Sequence, residues 1–214
     1  MGSRPAAGGG RWVEVDPQRM PRWLSGFSER HGDWVVAGTT GVLELAARDG
    51  ACAQCHPPPG TRPFSGLDEF LAAVRAPGRL GLLLARRGGV GVGVVEGAEL
   101  VESKVDSRYV QGRTAAGGWS QHRFARRREN QARAAAGEGS DVVARLLLPQ
   151  AARLAAVVTG GDRRAVDAVL DDPRLVPVAA LRAERFLDVP EPRLPVLQAA
   201  VRRARTVRIR LVDP

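Results

Sequence analysis

The pattern of apolar and polar positions divides the chain into short strand-like runs and segments with helical periodicity. Apolar runs bounded by turn residues predict strands at 12–15, 34–37, 42–46, 51–54, 80–85, 90–95, 100–105, 154–159, 176–178 and 207–212. Apolar residues that recur every three or four positions predict helices at 17–30, 67–74, 123–136, 140–148, 162–170 and 195–205. Because strands and helices interleave, we predict an α/β fold in which a mixed β-sheet is flanked by helices.

Residues that can cap a helix precede several of the predicted helices. Asp16 precedes Pro17, a combination typical of an N-cap followed by proline at the first helical position. Asp162 is interpreted in the same way, as a helix cap rather than a catalyst. The glycines of 137–139 are expected to break the chain after helix 123–136, with Ser140 capping the next helix.

Length and composition indicate one globular domain. A chain of 214 residues with 44% hydrophobic residues can bury a sizeable core. Residues 1–10 are glycine-rich and of low complexity, which predicts a disordered tail, whereas no repeat or linker divides residues 11–214. The longest apolar runs are too short to cross a bilayer, and the N-terminus lacks the apolar segment of a signal peptide. We therefore expect a cytoplasmic protein.

Two segments partly match cofactor-binding motifs, but neither match is specific enough to predict a cofactor. The glycines at 88, 89, 91 and 93 have neither dinucleotide-binding nor P-loop spacing, and alternation instead predicts a strand with a small-residue face. The segment Cys52-Ala-Gln-Cys55-His56 matches the haem-attachment pattern, although haem attachment requires export. Zinc would need a second ligand pair, which His31 and His122 do not supply at a recognisable spacing. We expect no cofactor and no metal; a redox or metal role for the cysteines remains the alternative.

Charge is informative in one segment. The net charge is +9, but Lys104 is the only lysine, and such an arginine bias is also expected of a GC-rich coding sequence. The clustering of arginines is stronger evidence for a polyanionic partner than their total number. Seven arginines and a single acid, Glu129, lie between Arg108 and Arg133. A basic cluster of this kind indicates a polyanionic partner.

The basic cluster predicts a two-faced helix. At roughly 100° per residue, one third of the helix circumference holds Arg123, Arg126, Arg127 and Arg133. The opposite side holds Phe124, Ala125, Ala132, Ala135 and Ala136. Such a helix can pack its small apolar face on a sheet while its arginines face solvent.

The segment GGWSQHRFARRREN resembles the signature loop and helix in the middle domain of eukaryotic and archaeal class I peptide release factors. It is more similar to the Vms-like release factors of ribosome quality control, especially their actinobacterial-type branch. The glycines at 117 and 118 match the loop tip, and residues 123–126, Arg-Phe-Ala-Arg, match the helix. Weaker similarity extends from about Arg11 to the end. The resemblance implies a release-factor middle-domain fold, RNase H-like, with a protruding Gly-Gly loop before the basic helix.

The sequence departs from the termination-factor motif at one position. Trp119 stands where those factors carry glutamine, and a glutamine appears two residues later as Gln121. The catalytic residues implied by the resemblance are therefore Gln121, Gly117 and Gly118. Gln111, which lies before the tip, remains a substitute for the glutamine.

The chemistry of peptide release requires these residue types. Hydrolysis of the ester between a peptide and the 3′ ribose of tRNA needs a water aligned with the carbonyl and donors aimed at the developing oxyanion. Glycine lets backbone N–H groups approach a ligand closely, since it has no Cβ. A glutamine amide offers one acceptor and two donors, so it can orient a water without titrating.

The resemblance implies a peptidyl-tRNA hydrolase that frees nascent chains on stalled or split large ribosomal subunits. Its partners would be rRNA and peptidyl-tRNA, and we expect a monomer. The residues expected to contact RNA are Arg113, Trp119, Arg123, Arg126, Arg127 and Arg133. Three alternatives stay open: a tRNA endonuclease that cuts near the 3′ CCA end, a noncatalytic ribosome- or RNA-binding protein, and a plain glycine turn before a solvated helix.

Overall fold

The computed structural model describes residues 3–6, 8–86, 89–107 and 121–214, with side chains for all of these except 3, 107 and 121–132. The strands are β1 Ser3–Pro5, β2 Arg11–Val15, β3 Trp34–Gly38, β4 Leu43–Ala47, β5 Cys52–His56, β6 Leu80–Arg86, β7 Gly89–Glu96, β8 Glu99–Ser107, β9 Ala156–Gly161, β10 Arg182–Leu187 and β11 Val207–Val212. The α-helices are α1 Met20–His31, α2 Leu67–Arg75, α3 Gln121–Leu146, α4 Arg163–Leu170, α5 Val176–Ala179 and α6 Leu194–Ala204. Short 3-10 helices occur at Pro17–Arg19, Leu148–Arg153 and Pro173–Leu175.

Contacts between Cα atoms group the chain into two compact units. The first unit is Met1–Gly78 with Ala204–Pro214, and the second is Arg79–Arg203. That residues 11–214 act as one domain stays a prediction. Among the helices in the described ranges, none combines the length and the apolar character needed to cross a bilayer.

The first unit is an antiparallel sheet with helices on one face. Its strand order is β1-β2-β11-β5-β4-β3, so the C-terminal strand lies between β2 and β5. Alternate residues of these strands, including Val15 and Ile209, join Phe27 of α1 and Phe70 of α2 in a buried core. Strand β1, which lies in the segment predicted to be a disordered tail, pairs with β2.

The N-terminal end of α1 follows the sequence prediction. Asp16 Oδ1 accepts a hydrogen bond from the backbone N–H of Gln18 at 2.8 Å, and Pro17 is the first residue of the 3-10 turn that leads into α1. The carboxylate thereby satisfies an N–H group that has no partner within the helix.

The second unit is a mixed sheet with helices on both faces, which confirms the predicted fold class. Its strand order is β10-β9-β6-β7-β8, with β10, β9 and β6 parallel and β6, β7 and β8 forming an antiparallel meander. One face packs on α3 and α4, where Val92 meets Val143 and Val166 in a single buried cluster. The other face packs on α6.

The alternating glycines of β7 provide the contact with α6. A Cβ at Gly93 would lie 2.5 Å from Leu100 Cδ1 and 3.3 Å from Leu197 Cδ2, and one at Gly91 would lie 3.7 Å from Leu197 Cδ1. The predicted small-residue face is therefore confirmed: it lets Leu197 of α6 approach the sheet.

Two elements between residues 176 and 187 differ from the sequence prediction. Residues 176–178 are not an edge strand: they begin α5, which follows the 3-10 turn Pro173–Leu175 directly. Asp172 starts that turn, because its Oδ1 accepts from the Arg174 N–H at 2.9 Å. The strand in this region is β10, which carries three charged side chains and forms because β9 offers it a parallel partner.

Candidate functional site

The candidate catalytic loop lies between β8 and α3. Within the described residues, α3 covers Gln121–Leu146, so the candidate glutamine lies on this helix next to the residues outside the described set. Gly117, Gly118, Trp119 and Arg113 lie outside the described residues, as does the alternative Gln111. Their predicted roles stay predictions.

The elements that flank this segment are both packed on β7. Strand β8 pairs with β7 throughout, and Ser107 at its end is opposite Gly89. Helix α3 contacts the same strand, since Gly139 lies against Val90. The elements before and after the candidate loop are therefore both anchored on the same strand, β7.

The two-faced character predicted for the basic helix holds where its side chains are described. Arg133 and Ala134 are exposed, whereas Ala135 is half-buried and Ala136 packs against the core. Arg123, Arg126 and Arg127 lie on α3, but their side chains are outside the described set.

The predicted helix break at 137–139 is wrong, because α3 is continuous from Gln121 to Leu146. Gly139 is buried where α3 meets its neighbours: a Cβ there would lie 2.8 Å from Val169 Cγ2 and 2.9 Å from Val90 Cγ2. Glycine costs about 1 kcal/mol of helix propensity relative to alanine. Here its missing side chain allows α3 to pack closely on β7 and α4.

The two glycines of α3 offer a matched test of this packing. Gly139→Ala is expected to lower the free energy of unfolding by about 1–2 kcal/mol, because overpacking exceeds the gain in helix propensity. Gly137→Ala is expected to raise it by about 0.5–1 kcal/mol, since a Cβ there has nothing within 4 Å. Urea unfolding monitored by circular dichroism measures both. Equal effects of the two substitutions would contradict the close packing at Gly139.

Ser140 does not cap a new helix but joins α3 to α4. Its buried hydroxyl lies 2.9 Å from the Ala136 carbonyl oxygen and 2.8 Å from the Val169 carbonyl oxygen, so it can donate to either. The Val169 carbonyl belongs to the last turn of α4, where carbonyls lack helical partners. A hydrogen bond from Ser140 therefore satisfies a group that is costly to bury alone.

Asp141 forms an ion pair beside this hydrogen bond. Arg174 Nη2 donates to Asp141 Oδ1 at 2.7 Å and to Asp172 Oδ2 at 2.6 Å. Hydrogen bonds from Arg174 lower the pKa of Asp172, and the two carboxylates raise the pKa of Arg174. Asp172 and Arg174 are therefore charged at neutral pH. No local sequence signal points to Arg174, which lies 33 residues after Asp141.

The Cys-x-x-Cys-His segment does not form a metal or redox pair. Cys52 and Cys55 are three positions apart on β5, so their side chains leave opposite faces of the strand. Cys52 is exposed and Cys55 is buried in the first unit. In the part of the chain that the structure describes, no three His, Cys, Asp or Glu side chains gather as a metal site.

The two cysteines are expected to differ sharply in reactivity. A water-soluble disulfide reagent should modify one thiol rapidly in the folded protein and the second only on unfolding. Burial raises the pKa of the Cys55 thiol to about 12, so it is both protonated and shielded at neutral pH. Absorbance of the released thiolate reports the stoichiometry. Cys52→Ser should abolish the rapid phase and Cys55→Ser should not; rapid labelling in Cys52→Ser would disprove this assignment.

The sequence model of the Actinobacteria/chloroflexi VLRF1 release factor family matches residues 78–210, which is more than half of the chain. The chain belongs to this family. The VLRF1 match includes the segment between β8 and α3 and the whole second unit, and it continues to residue 210 in the first unit.

Solved structures with partial similarity include a protein described as archaeal and the archaeal translation termination factor aRF1. The first is 18% identical, with a TM-score of 0.39, over 72% of this chain and 48% of that chain. The aRF1 structure is 17% identical, with a TM-score of 0.42, over 90% of this chain and 63% of that chain. The chain thus spans less than two thirds of either structure, and the family assignment rests on the sequence match. No curated protein matches the chain in sequence.

Proposed function

We propose that this VLRF1 family member is a peptidyl-tRNA hydrolase that releases nascent peptides from tRNA on stalled or split large ribosomal subunits. The proposal places it in the cytoplasm, as a monomer that binds rRNA and peptidyl-tRNA and needs no metal. The observation that carries it is the order Gly-Gly, Gln121 and Arg-rich helix within the segment that the family model matches. The location of Gln121 on α3, directly ahead of the arginines in the sequence, supports it.

In the proposed mechanism, the chain contributes positioning rather than strong base chemistry. The amide of Gln121 orients a water toward the ester carbonyl, and backbone N–H groups at Gly117 and Gly118 face the developing oxyanion. Attack of this water breaks the ester bond; the peptide leaves as a carboxylic acid and the tRNA keeps its 3′ hydroxyl. The side chain of a glutamine stays neutral throughout.

The proposed RNA contacts surround this loop. Arginine guanidinium groups bind phosphates of the RNA backbone, which positions the loop without reading sequence. Trp119 is proposed to stack on a base near the end of the tRNA. The arginines assigned to this role are Arg113, Arg123, Arg126, Arg127 and Arg133.

A release assay on purified large subunits that carry peptidyl-tRNA tests the function directly. We expect the protein to free the peptide and to leave tRNA whose sequenced 3′ ends retain CCA. Shortened 3′ ends would identify an endonuclease instead. Binding to the subunit without either product would identify a noncatalytic ribosome-binding protein.

A further inference from the structure

Consecutive residues of α3 contact one segment of the second unit, residues 169–174. Ser140 can donate a hydrogen bond to the Val169 carbonyl, and Asp141 accepts one from Arg174. These two contacts differ in environment, because Ser140 is 2% exposed whereas Asp141 is at the surface. We call the contacts of Ser140 with Val169 and of Asp141 with Arg174 the α3 latch.

The two contacts of the α3 latch resist different motions of the helix. Successive helical residues point about 100° apart, so Ser140 and Asp141 hold two separate sides of α3. The hydrogen bond from Ser140 is directional. The guanidinium group of Arg174, which pairs with Asp141, is itself oriented by Asp172, which accepts three hydrogen bonds from Arg174 Nε and Nη2. The apolar packing of α3, at Gly139 and through Val143 and Leu146, is non-directional and by itself would leave the helix freer to tilt.

The distance along α3 amplifies any tilt at this point. Gln121 and Ser140 belong to the same continuous helix, and a rise of 1.5 Å per residue separates them by about 29 Å. A tilt of about 5° at Ser140 would displace the Gln121 backbone by roughly 2.5 Å over that length. Misplacement of a catalytic group by about 1 Å can slow a reaction by about 100-fold.

We propose that the α3 latch sets the direction of α3 and thereby the position of Gln121, so that Ser140, Asp141 and Arg174 are positioning residues for peptide release. This inference rests on the proposed function. Contacts far from the ester would then control the rate of its hydrolysis. Binding of the ribosomal subunit depends on the arginines, so loss of the α3 latch would leave it unaffected.

The test compares variants of the full chain in the release assay, below the lowest melting temperature among them. Asp141→Asn and Ser140→Ala are each expected to slow release at saturating protein by about tenfold, while the Kd for the large subunit stays within about twofold. Asp141→Glu keeps the charge and should recover most of the rate. Asp171→Asn removes a neighbouring acid outside the Arg174 ion pairs and should release peptide as wild type does.

A fall in release that merely tracks a weaker Kd or a smaller folded fraction would overturn the inference, as would wild-type rates in both latch variants. Because Asp141 is exposed, its variants remain informative even if Ser140→Ala does not fold.

A distance measurement separates this inference from the proposed function. Spin labels at Glu129→Cys on α3 and Ala152→Cys in the second unit, in a Cys52→Ser background, report the direction of the helix. The distance distribution should broaden or shift in Asp141→Asn and not in Asp171→Asn. If the wild type releases no peptide, the proposed function fails, and this distribution alone decides whether the latch orients α3. An unchanged distribution overturns the latch whatever the activity.

Discussion

Replacing Gln121 with alanine is expected to slow peptide release by about 100- to 1,000-fold, the cost of removing one precisely placed group that acts on the reacting atoms. The amide is proposed to orient the attacking water. Affinity for the large subunit should stay within about twofold, since the arginines remain. Single-turnover release at saturating protein measures the rate, and sedimentation with the subunit measures binding.

Two other glutamines serve as controls for this result. Gln131 also lies on α3, so Gln131→Ala tests whether loss of any amide from this helix matters; we expect wild-type release. Gln111 precedes the Gly-Gly tip and is the alternative catalytic residue. If Gln111→Ala abolished release while Gln121→Ala did not, the catalytic assignment would move to Gln111.

Neutralising the basic face of α3 is expected to have the second large effect. The quadruple arginine-to-glutamine variant should weaken binding to the large subunit by about 100-fold or more at physiological salt and reduce the slope of log Kd against log salt by about 3 to 4. Each lost phosphate contact releases one fewer counterion, so affinity and slope fall together. The substituted residues are Arg123, Arg126, Arg127 and Arg133.

A second quadruple variant controls for net charge. It replaces four exposed arginines of the first unit, and it should change affinity and salt slope much less because these arginines are not assigned to phosphate contacts, and only contacted phosphates release counterions. Equal losses in both variants, or a flat salt response in the wild type, would count against a localised basic face. The four control residues are Arg19, Arg22, Arg30 and Arg48.

Sequence patterns located most strands and helices because those elements carry their own signals. Residues 80–105 show apolar runs separated by short turns, and the structure has the predicted meander of β6, β7 and β8. Asp16 and Asp162 act as caps, as their positions before helices predicted; Asp162 Oδ1 accepts from the Arg164 N–H at 2.9 Å. These contacts span two or three residues, so local sequence is sufficient to determine them.

The continuity of α3 was available in the sequence but was obscured by its glycines. The apolar stripe of Ala132 and Ala136 continues in phase through Gly139 to Val143 and Leu146, at spacings of three or four residues. A true break would have reset that phase. Local sequence predicts a break at Gly139 because the feature that requires this glycine, the proximity of Val90 and Val169, belongs to other elements.

The sequence by itself determined the family, the α/β class, the basic helix and the candidate Gln121, since each depends on residue types at short spacings. Only the tertiary structure decided that β10 is a strand, that residues 176–179 are helical, and that Ser140 and Asp141 join α3 to the segment at 169–174. For β10 and for the contacts of Ser140 and Asp141, the physical reason is the same. A hydrogen bond, an ion pair or a missing Cβ acts there between residues far apart in the chain, and their meeting depends on how the sheet and helices pack.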